Sequence, residues 1–326
     1  MKWIWRGLLA LLVVLVIAFL IFRTPDTDAA AMRAKYGGPP SQFVAIGGGV
    51  TVHLRDEGPK DGPAIVLLHG SNADLHTWEP WVAALKERYR VIRFDQVGHG
   101  LTGPDPAHDY SRDNYVADIL AVVDRLGLDR FVLAGNSMGG KHALAFAAAH
   151  PQRLTGLVLV DASGGPMLDL GNNEDEDSGN IGFAIAQTPG INLLVEQITP
   201  RSLIAQSLEQ SVSVKSVASE TAVDRYWELL RYPGNRRATL KRFGYPYDPL
   251  TEAQIAAIDT PTLILWGEDD RLIPVEAGRW LARTIPNTTL AIYPDIGHLP
   301  HEEAVAATLS DLGPWLAEHA PATNPR

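Results

Sequence analysis

Phe131-Val132-Leu133-Ala134-Gly135-Asn136-Ser137-Met138-Gly139-Gly140 is the stretch whose reading decides the fold. It opens with four apolar residues, turns through glycine, and runs into an alanine-rich segment, 138–150, that stops before Pro151. Strand, sharp turn, helix is the setting a nucleophile elbow requires. Small residues two before and two after Ser137 let strand and helix pass closely, and the seryl oxygen then stands above the sheet edge at the positive end of the helix. Gly-x-Ser-x-Gly strings recur by chance; one placed between a strand and a helix does so far less often.

Outward from this segment, short continuous apolar runs recur at 64–68, 91–94, 157–160, 262–266 and 289–293. Runs of four to six apolar residues indicate strands buried on both faces, as in a parallel sheet. Residues 43–46 and 50–55 read as a hairpin joined through Gly47-Gly48-Gly49, because glycine tolerates the positive φ of such a turn. Helical patterns cover 78–88, 111–126 (Ser111 as N-cap, Gly127 as stop), 138–150, 275–284 and 302–318. A hairpin followed by alternating strands and helices predicts an open α/β sheet.

One region breaks the alternation. About a hundred residues separate Asp161 from Pro261 without a strand run. They hold an acidic loop, Glu174-Asp175-Glu176-Asp177, and several short helical patterns across 191–230. The expected division is an amino-terminal membrane or signal segment at 1–23, a tether at 24–41, sheet core at 42–163, a helical cap at 164–250, sheet core again at 251–318, and a tail at 319–326.

The chain has 326 residues, 46% hydrophobic and 20% charged, which excludes disordered and collagen-like classes. It has no cysteine, which excludes disulfides, cysteine-ligated zinc, iron–sulfur clusters and a thiol nucleophile. The net charge of −10 resides in the body, while the first 36 residues are net basic; an acidic body disfavours nucleic acid as a partner.

Residues 7–22 form an unbroken apolar run bracketed by Arg6 and Arg23, with Trp3 and Trp5 just outside. At 1.5 Å per residue the run covers about 24 Å, against a hydrocarbon core of ~30 Å, a gap that snorkelling of Arg6 and Arg23, with Ile4 and Trp5 joining the helix, would close. A single-pass anchor is the leading expectation, with the N-terminus cytoplasmic and the catalytic body on the outer side. A signal peptide cleaved near Ala29-Ala30-Ala31 is the alternative. Pro25, Gly37, Gly38, Pro39 and Pro40 mark the stretch after it as a tether.

A serine nucleophile needs a base. Of ten histidines, His298 lies just after the last strand, where open α/β sheets place their sites; His301 is its nearest competitor. A carboxylate must hold the imidazole. Trp266-Gly267-Glu268-Asp269-Asp270 follows the penultimate strand, and Asp270 is the chosen acid, with Asp269, Glu268 and then Asp161 behind it. The chain order Ser137, Asp270, His298 is the hydrolase order. Two backbone N–H donors are needed for an oxyanion. Met138 supplies one, and Ser71 the other, with Asn72 as alternative. Trp78, Met138, Tyr226, Trp227, Leu272 and Leu299 are candidate pocket residues. No metal or organic cofactor is called for.

Four blocks resemble the cap-bearing α/β-hydrolase family: His69-Gly70, Asp95 with Gly98-His99-Gly100, Gly135 to Gly140, and Trp266 to Pro274 with Gly297-His298. The resemblance spans about residues 42–318. It implies an eight-stranded, mostly parallel sheet flanked by helices, a helical cap after the sixth strand, and the acid after the seventh, which matches Asp270. Epoxide hydrolases and haloalkane dehalogenases of this fold carry aspartate where this chain has Ser137. The elbow is similar to that of carbon–carbon bond hydrolases of ring-fission products, which usually place tryptophan after the histidine; here it is Leu299. Cleavage of a carboxylic ester, with a small apolar acyl substrate near a membrane, is therefore the expected activity. The alternatives are carbon–carbon bond hydrolysis, an aminopeptidase using acidic cap residues, and a non-catalytic ligand-binding member.

Overall fold

The computed structural model describes residues 2–165, 181, 188, 196–246 and 248–320. The acidic loop at 174–177 and part of the helical pattern at 191–230 lie outside the described residues. Eight strands form one sheet: β1 Ser41–Gly47, β2 Val50–Glu57, β3 Ala64–Leu68, β4 Arg90–Phe94, β5 Phe131–Asn136, β6 Leu154–Val160, β7 Thr262–Gly267 and β8 Thr288–Tyr293. Their spatial order is β1-β2-β4-β3-β5-β6-β7-β8. β2 is antiparallel to both β1 and β4, and every other pairing is parallel.

The strands read as continuous apolar runs because both faces are covered. In β3, Val66 and Leu68 enter one apolar layer with Leu133, Leu157 and Ile264, while Ile65 and Leu67 enter the other with Val132, Val158 and Leu263. Helices α4 Arg112–Arg125, α5 Met138–Ala149 and α10 Val275–Thr284 contribute to the first layer. Helices α3 Glu79–Leu85 and α12 Val305–His319 contribute to the second. Ser111 caps α4, accepting from Asn114 N–H. The helical pattern at 302–318 is divided, with α11 Pro300–Glu303 separated from α12 at Ala304.

Between β6 and β7 lies the cap, with α6 Arg201–Ser211, α7 Glu220–Leu230 and α8 Asn235–Phe243, followed by α9 Glu252–Ala256. Apolar side chains of α6 and α7 pack on each other and on Leu299, so the cap sits directly over the loop that follows β8.

At the amino terminus one finding agrees with the sequence reading and one revises it. The first helix, α1 Lys2–Phe22, takes in Lys2 to Arg6 as well as the apolar run and buries none of its residues. Its 21 residues span about 31 Å, so no shortfall against the bilayer remains. Among the described residues it is the one helix long and apolar enough to cross a membrane, a property a signal sequence shares. The stretch expected to be a tether instead contains helix α2 Ala29–Tyr36, capped by Asp28 and anchored by buried Met32 against Leu101, Leu229 and Tyr232. Its proline and glycine content conceals this, because the contacts that order it lie about two hundred residues away.

The elbow depends on missing side chains. A Cβ on Gly135 would overlap the Gly139 backbone, and one on Gly139 would overlap the Leu68 carbonyl. Gly139→Ala is therefore expected to cost about 3 kcal/mol through overpacking against unyielding backbone. Chemical denaturation checks this: an unchanged midpoint would show that the strand–helix approach is looser than described.

Candidate active site

Ser137 occupies the turn between β5 and α5 with φ 53° and ψ −117°. A non-glycine residue held there stores roughly 1–3 kcal/mol of strain. The neighbouring backbone enforces it: Ser137 N–H donates to Val160 O at 3.0 Å, and Ser137 O accepts from Lys141 N and Ser163 N at 3.1 Å each. The strain lifts the side chain out of both strand and helix, into the cleft beneath the cap.

His298 follows β8 and Asp270 follows β7. Their side chains meet at 2.7 Å, His298 Nδ1 to Asp270 Oδ2. Both are buried. An ionised carboxylate only accepts, so Nδ1 carries the proton and Nε2 keeps its lone pair. Asp270 is fixed through its other oxygen, which accepts from Leu272 N–H at 2.8 Å and Ile273 N–H at 3.1 Å. Its rivals Glu268 and Asp269 point into solvent. His301, the competing base, is buried against Trp78 and bonds Thr77 Oγ1 through Nε2 at 3.0 Å. Burial, helped by nearby His298, pushes its pKa down to about 3, so it stays neutral.

Ser137 and His298 both open onto one cavity of about 980 Å³, solvent at its mouth included. Gly70, Ser71 and Asn72 form one wall. Leu203, Leu208, Tyr226, Leu230, Leu272 and Leu299 make most of the rest apolar. A hydroxyl on a strained turn, an imidazole with a free nitrogen, and a buried carboxylate behind it form a constellation suited to acyl transfer.

A model of the α/β hydrolase fold matches residues 63–305. The chain belongs to the α/β-hydrolase fold family. It is a serine hydrolase of that fold, with the cap inserted after the sixth strand. A 2-hydroxy-6-oxononadienedioate/2-hydroxy-6-oxononatrienedioate hydrolase from Cupriavidus pinatubonensis is 31% identical, covering 79% of this chain and 89% of its own. Among solved structures, a thermophilic esterase from Thermogutta terrifontis is similar at 25% identity with a TM-score of 0.68, covering 86% of this chain and 98% of that one. A membrane phospholipase A is similar in fold at 24% identity with a TM-score of 0.70. It covers 99% of this chain and 100% of its own, so that likeness of fold runs through the amino-terminal helix.

The hydrolase departs from the sequence expectation at three pocket positions. Trp78 is fully buried against Trp81 and His301 and does not line the cavity. Trp227 also lies outside it, donating Nε1–H to Thr199 O at 2.7 Å with Arg231 over its ring. A tryptophan's composition and spacing are the same in a core as in a pocket wall. Tyr226, Leu272 and Leu299 do line the cavity, and Ser71 and Asn72 both flank Ser137 there. Met138 starts α5 directly after the serine and is buried outside the lining.

Sequence reasoning missed four residues that hold the site. Asn136 donates Nδ2–H to His298 O at 3.1 Å and to Val160 O at 3.1 Å, tying the elbow to the histidine loop. Glu303 accepts from Gly297 N at 3.1 Å and Leu299 N at 3.0 Å, on either side of His298, and from cap residue Ser213 N at 2.7 Å. Arg242, on α8, donates Nη2–H to Ser71 Oγ at 2.8 Å and Asn72 Oδ1 at 3.1 Å, and its Nη1 touches His99. Thr239, one turn earlier, also donates to Asn72 Oδ1 at 3.2 Å. Asn136, within the quoted motif, was the one a closer reading had a signal for.

Asp161 lies behind the pair. It ends β6 at φ 43°, is fully buried, and accepts Gly267 N–H at 3.0 Å. Its carboxyl, Asp270 and His298 Nδ1 fall within 4.8 Å of one another. Two bare carboxylates in a dry contact repel, so one must hold a proton. Burial, then the charge and hydrogen bond of Asp270, raise the Asp161 pKa well above the ordinary carboxylate value. Asp161 is thus pushed toward its neutral form beside Asp270. A group with a raised folded-state pKa binds its proton more tightly folded than unfolded, so its contribution is complete below the unfolded pKa and is lost as pH rises toward the folded one. Asp161→Asn removes the titration at nearly unchanged volume. Its Tm relative to the parent should rise between pH 4 and pH 8; a pH-independent difference would show that Asp161 is ionised throughout.

Proposed function

We propose that the hydrolase works through an acyl-enzyme on Ser137. His298 takes the seryl proton as the oxygen attacks the substrate carbonyl, and Asp270 holds the resulting imidazolium. Backbone N–H groups of Met138 and Ser71 stabilise the oxyanion. The leaving group departs with the proton from His298, and water, activated by the same imidazole, releases the acid. The observation that carries this reading is the buried 2.7 Å His298–Asp270 bond, with His298 and Ser137 lining the same cavity.

The curated relatives are carbon–carbon bond hydrolases of 2-hydroxy-6-oxo-dienoates, and they support that reaction better than the ester cleavage expected from the sequence. The pocket favours the ester. A dienoate carries a carboxylate, which needs an unengaged cation. The guanidinium in the lining, Arg236, is already bound to Asp26 Oδ1 at 2.7 Å and to Thr24 O at 2.8 Å, and Arg242, just behind the wall, is held by Ser71 and Asn72. The remaining wall is largely apolar and suits an uncharged acyl group. The esterase likeness at 25% identity agrees with this. The conclusion is a serine esterase with an apolar acyl site, and carbon–carbon hydrolysis is the second reading, on the strength of the relatives.

The test sets p-nitrophenyl butyrate and decanoate against 2-hydroxy-6-oxo-2,4-heptadienoate. The parent should hydrolyse the p-nitrophenyl esters with the higher kcat/KM, and Ser137→Ala should lose roughly three orders of magnitude or more in kcat. Preference for the dienoate would put carbon–carbon cleavage in its place, and near-parental activity of Ser137→Ala would remove Ser137 as nucleophile.

Arg242 sets the loop that carries Ser71. Arg242→Met should lower kcat about tenfold or more by loosening an oxyanion donor while leaving KM within about twofold. Steady-state kinetics checks it: a rise in KM at constant kcat would mean that Arg242 serves binding instead.

A further inference from the structure

The segment between α1 and α2 does more than connect them. Phe22 ends the membrane-length helix, and Thr24 already belongs to the body: its N–H donates to Gln197 O at 2.8 Å, and its Oγ1 accepts Thr199 N–H at 2.7 Å. Asp26 pairs with Arg236 at 2.7 Å, and Arg236 also reaches Thr24 O at 2.8 Å. Thr199 and Arg236 are both buried, and both line the cavity that holds Ser137 and His298. Further on, Thr27 N–H donates to Arg231 O at 2.9 Å, Arg231 Nη2 reaches Pro25 O at 2.8 Å, and Lys35 and Tyr36 both reach Glu228 at 2.7 Å.

Two residues of extended chain span at most about 7 Å. The cavity wall is therefore one side chain away from a point within about 7 Å of the end of the apolar helix. Cleavage at Ala29-Ala30-Ala31 would cut inside the first turn of α2, beside its cap Asp28, whose carboxylate accepts Ala31 N–H at 2.7 Å. It would also remove Thr24 and Asp26, leaving the buried Arg236 without its carboxylate. Stripping the partner from a buried charge is costly.

We propose that the chain leaving the membrane backs the wall of the reaction pocket through Thr199 and Arg236, so that α1 is retained as an anchor and the enzyme meets its acyl ester at the surface of its own bilayer. The substrate part of this rests on the esterase reading above; the docking of residues 23–36 does not. A retained anchor keeps the pocket close to the lipid, and the apolar lining then matches an acyl chain supplied from it.

The full chain is the object of the test. Purified from membranes, it should retain residues 2–28 by intact mass; an active form beginning near residue 30 overturns the proposal. The absence of cysteine makes a second readout clean. Thr24→Cys with Thr199→Cys should form an intramolecular disulfide in the membrane under mild oxidation, whatever the enzyme's activity, and failure to form it overturns the docking. Reconstituted in phosphatidylcholine vesicles, the parent should hydrolyse a fluorogenic acylglycerol in the same vesicles at least about tenfold faster than one in separate vesicles. Equal rates overturn the bilayer supply. Asp26→Ala should lose about tenfold in kcat/KM toward that ester while Ser137 still reacts fully with a fluorophosphonate; unchanged kinetics overturn the wall. A parent that fails to react with the fluorophosphonate defeats the acyl-enzyme reading instead, and the disulfide result still decides the docking.

Discussion

The close passage of β5 and α5 around Ser137 is the constraint from which the rest follows. Glycine at 135 and 139 removes the atoms that would hold strand and helix apart. Ser137 is then forced to φ 53° and projects into the cleft. The cost is met by a sheet buried on both faces: parallel strands, apolar throughout, leave the backbone no freedom to relax the turn. Had the two elements stood a methyl group further apart, the serine would return to ordinary geometry and lie back against the helix.

The opposite side of the site is built by polar bonds. Asp270 is gripped by two backbone N–H groups, His298 by Asp270 and by the carbonyl of cap residue Ser211, and the loop around His298 by Asn136 and Glu303. Behind them burial and the charge of Asp270 push Asp161 toward its neutral form, which spares Asp270 a second buried charge. The cap therefore shapes both halves of the chemistry. Ser211 and Ser213 reach the histidine loop, and Arg242 and Thr239 reach the loop expected to bear an oxyanion donor. Through Arg236 and Thr199 the same cap reaches the segment that follows the apolar helix. Insertion after β6 is what allows one helical element to touch all three.

What was legible in the sequence divides along these lines. The strands announced themselves because residues such as Ile65 and Val66 face opposite apolar layers, so no polar alternation hides them. Ser137, Asp270 and His298 stood out because each lies in the loop or turn after a strand, and strand ends converge on one edge of a parallel sheet. Trp78 and Trp227 were misplaced because an aromatic residue on a helix carries no mark of which face meets the core. The ordered helix at Ala29–Tyr36 was hidden because its stabilising partners, Leu229, Tyr232 and Glu228, are distant in sequence. Asp161 and Arg242 could not be valued before folding, since one owes its proton to a neighbour brought up by β7 and the other its role to a loop after β3.

The account stands on a covalent acyl-enzyme at one residue, and mass spectrometry of the protein quenched during turnover of p-nitrophenyl butyrate addresses it directly. The account predicts a butyryl adduct on the peptide containing Ser137, absent from Ser137→Ala and accumulating in His298→Ala only if attack proceeds without the base. An adduct on a different peptide, or turnover with no adduct under any quench while Ser137→Ala remains active, would contradict it.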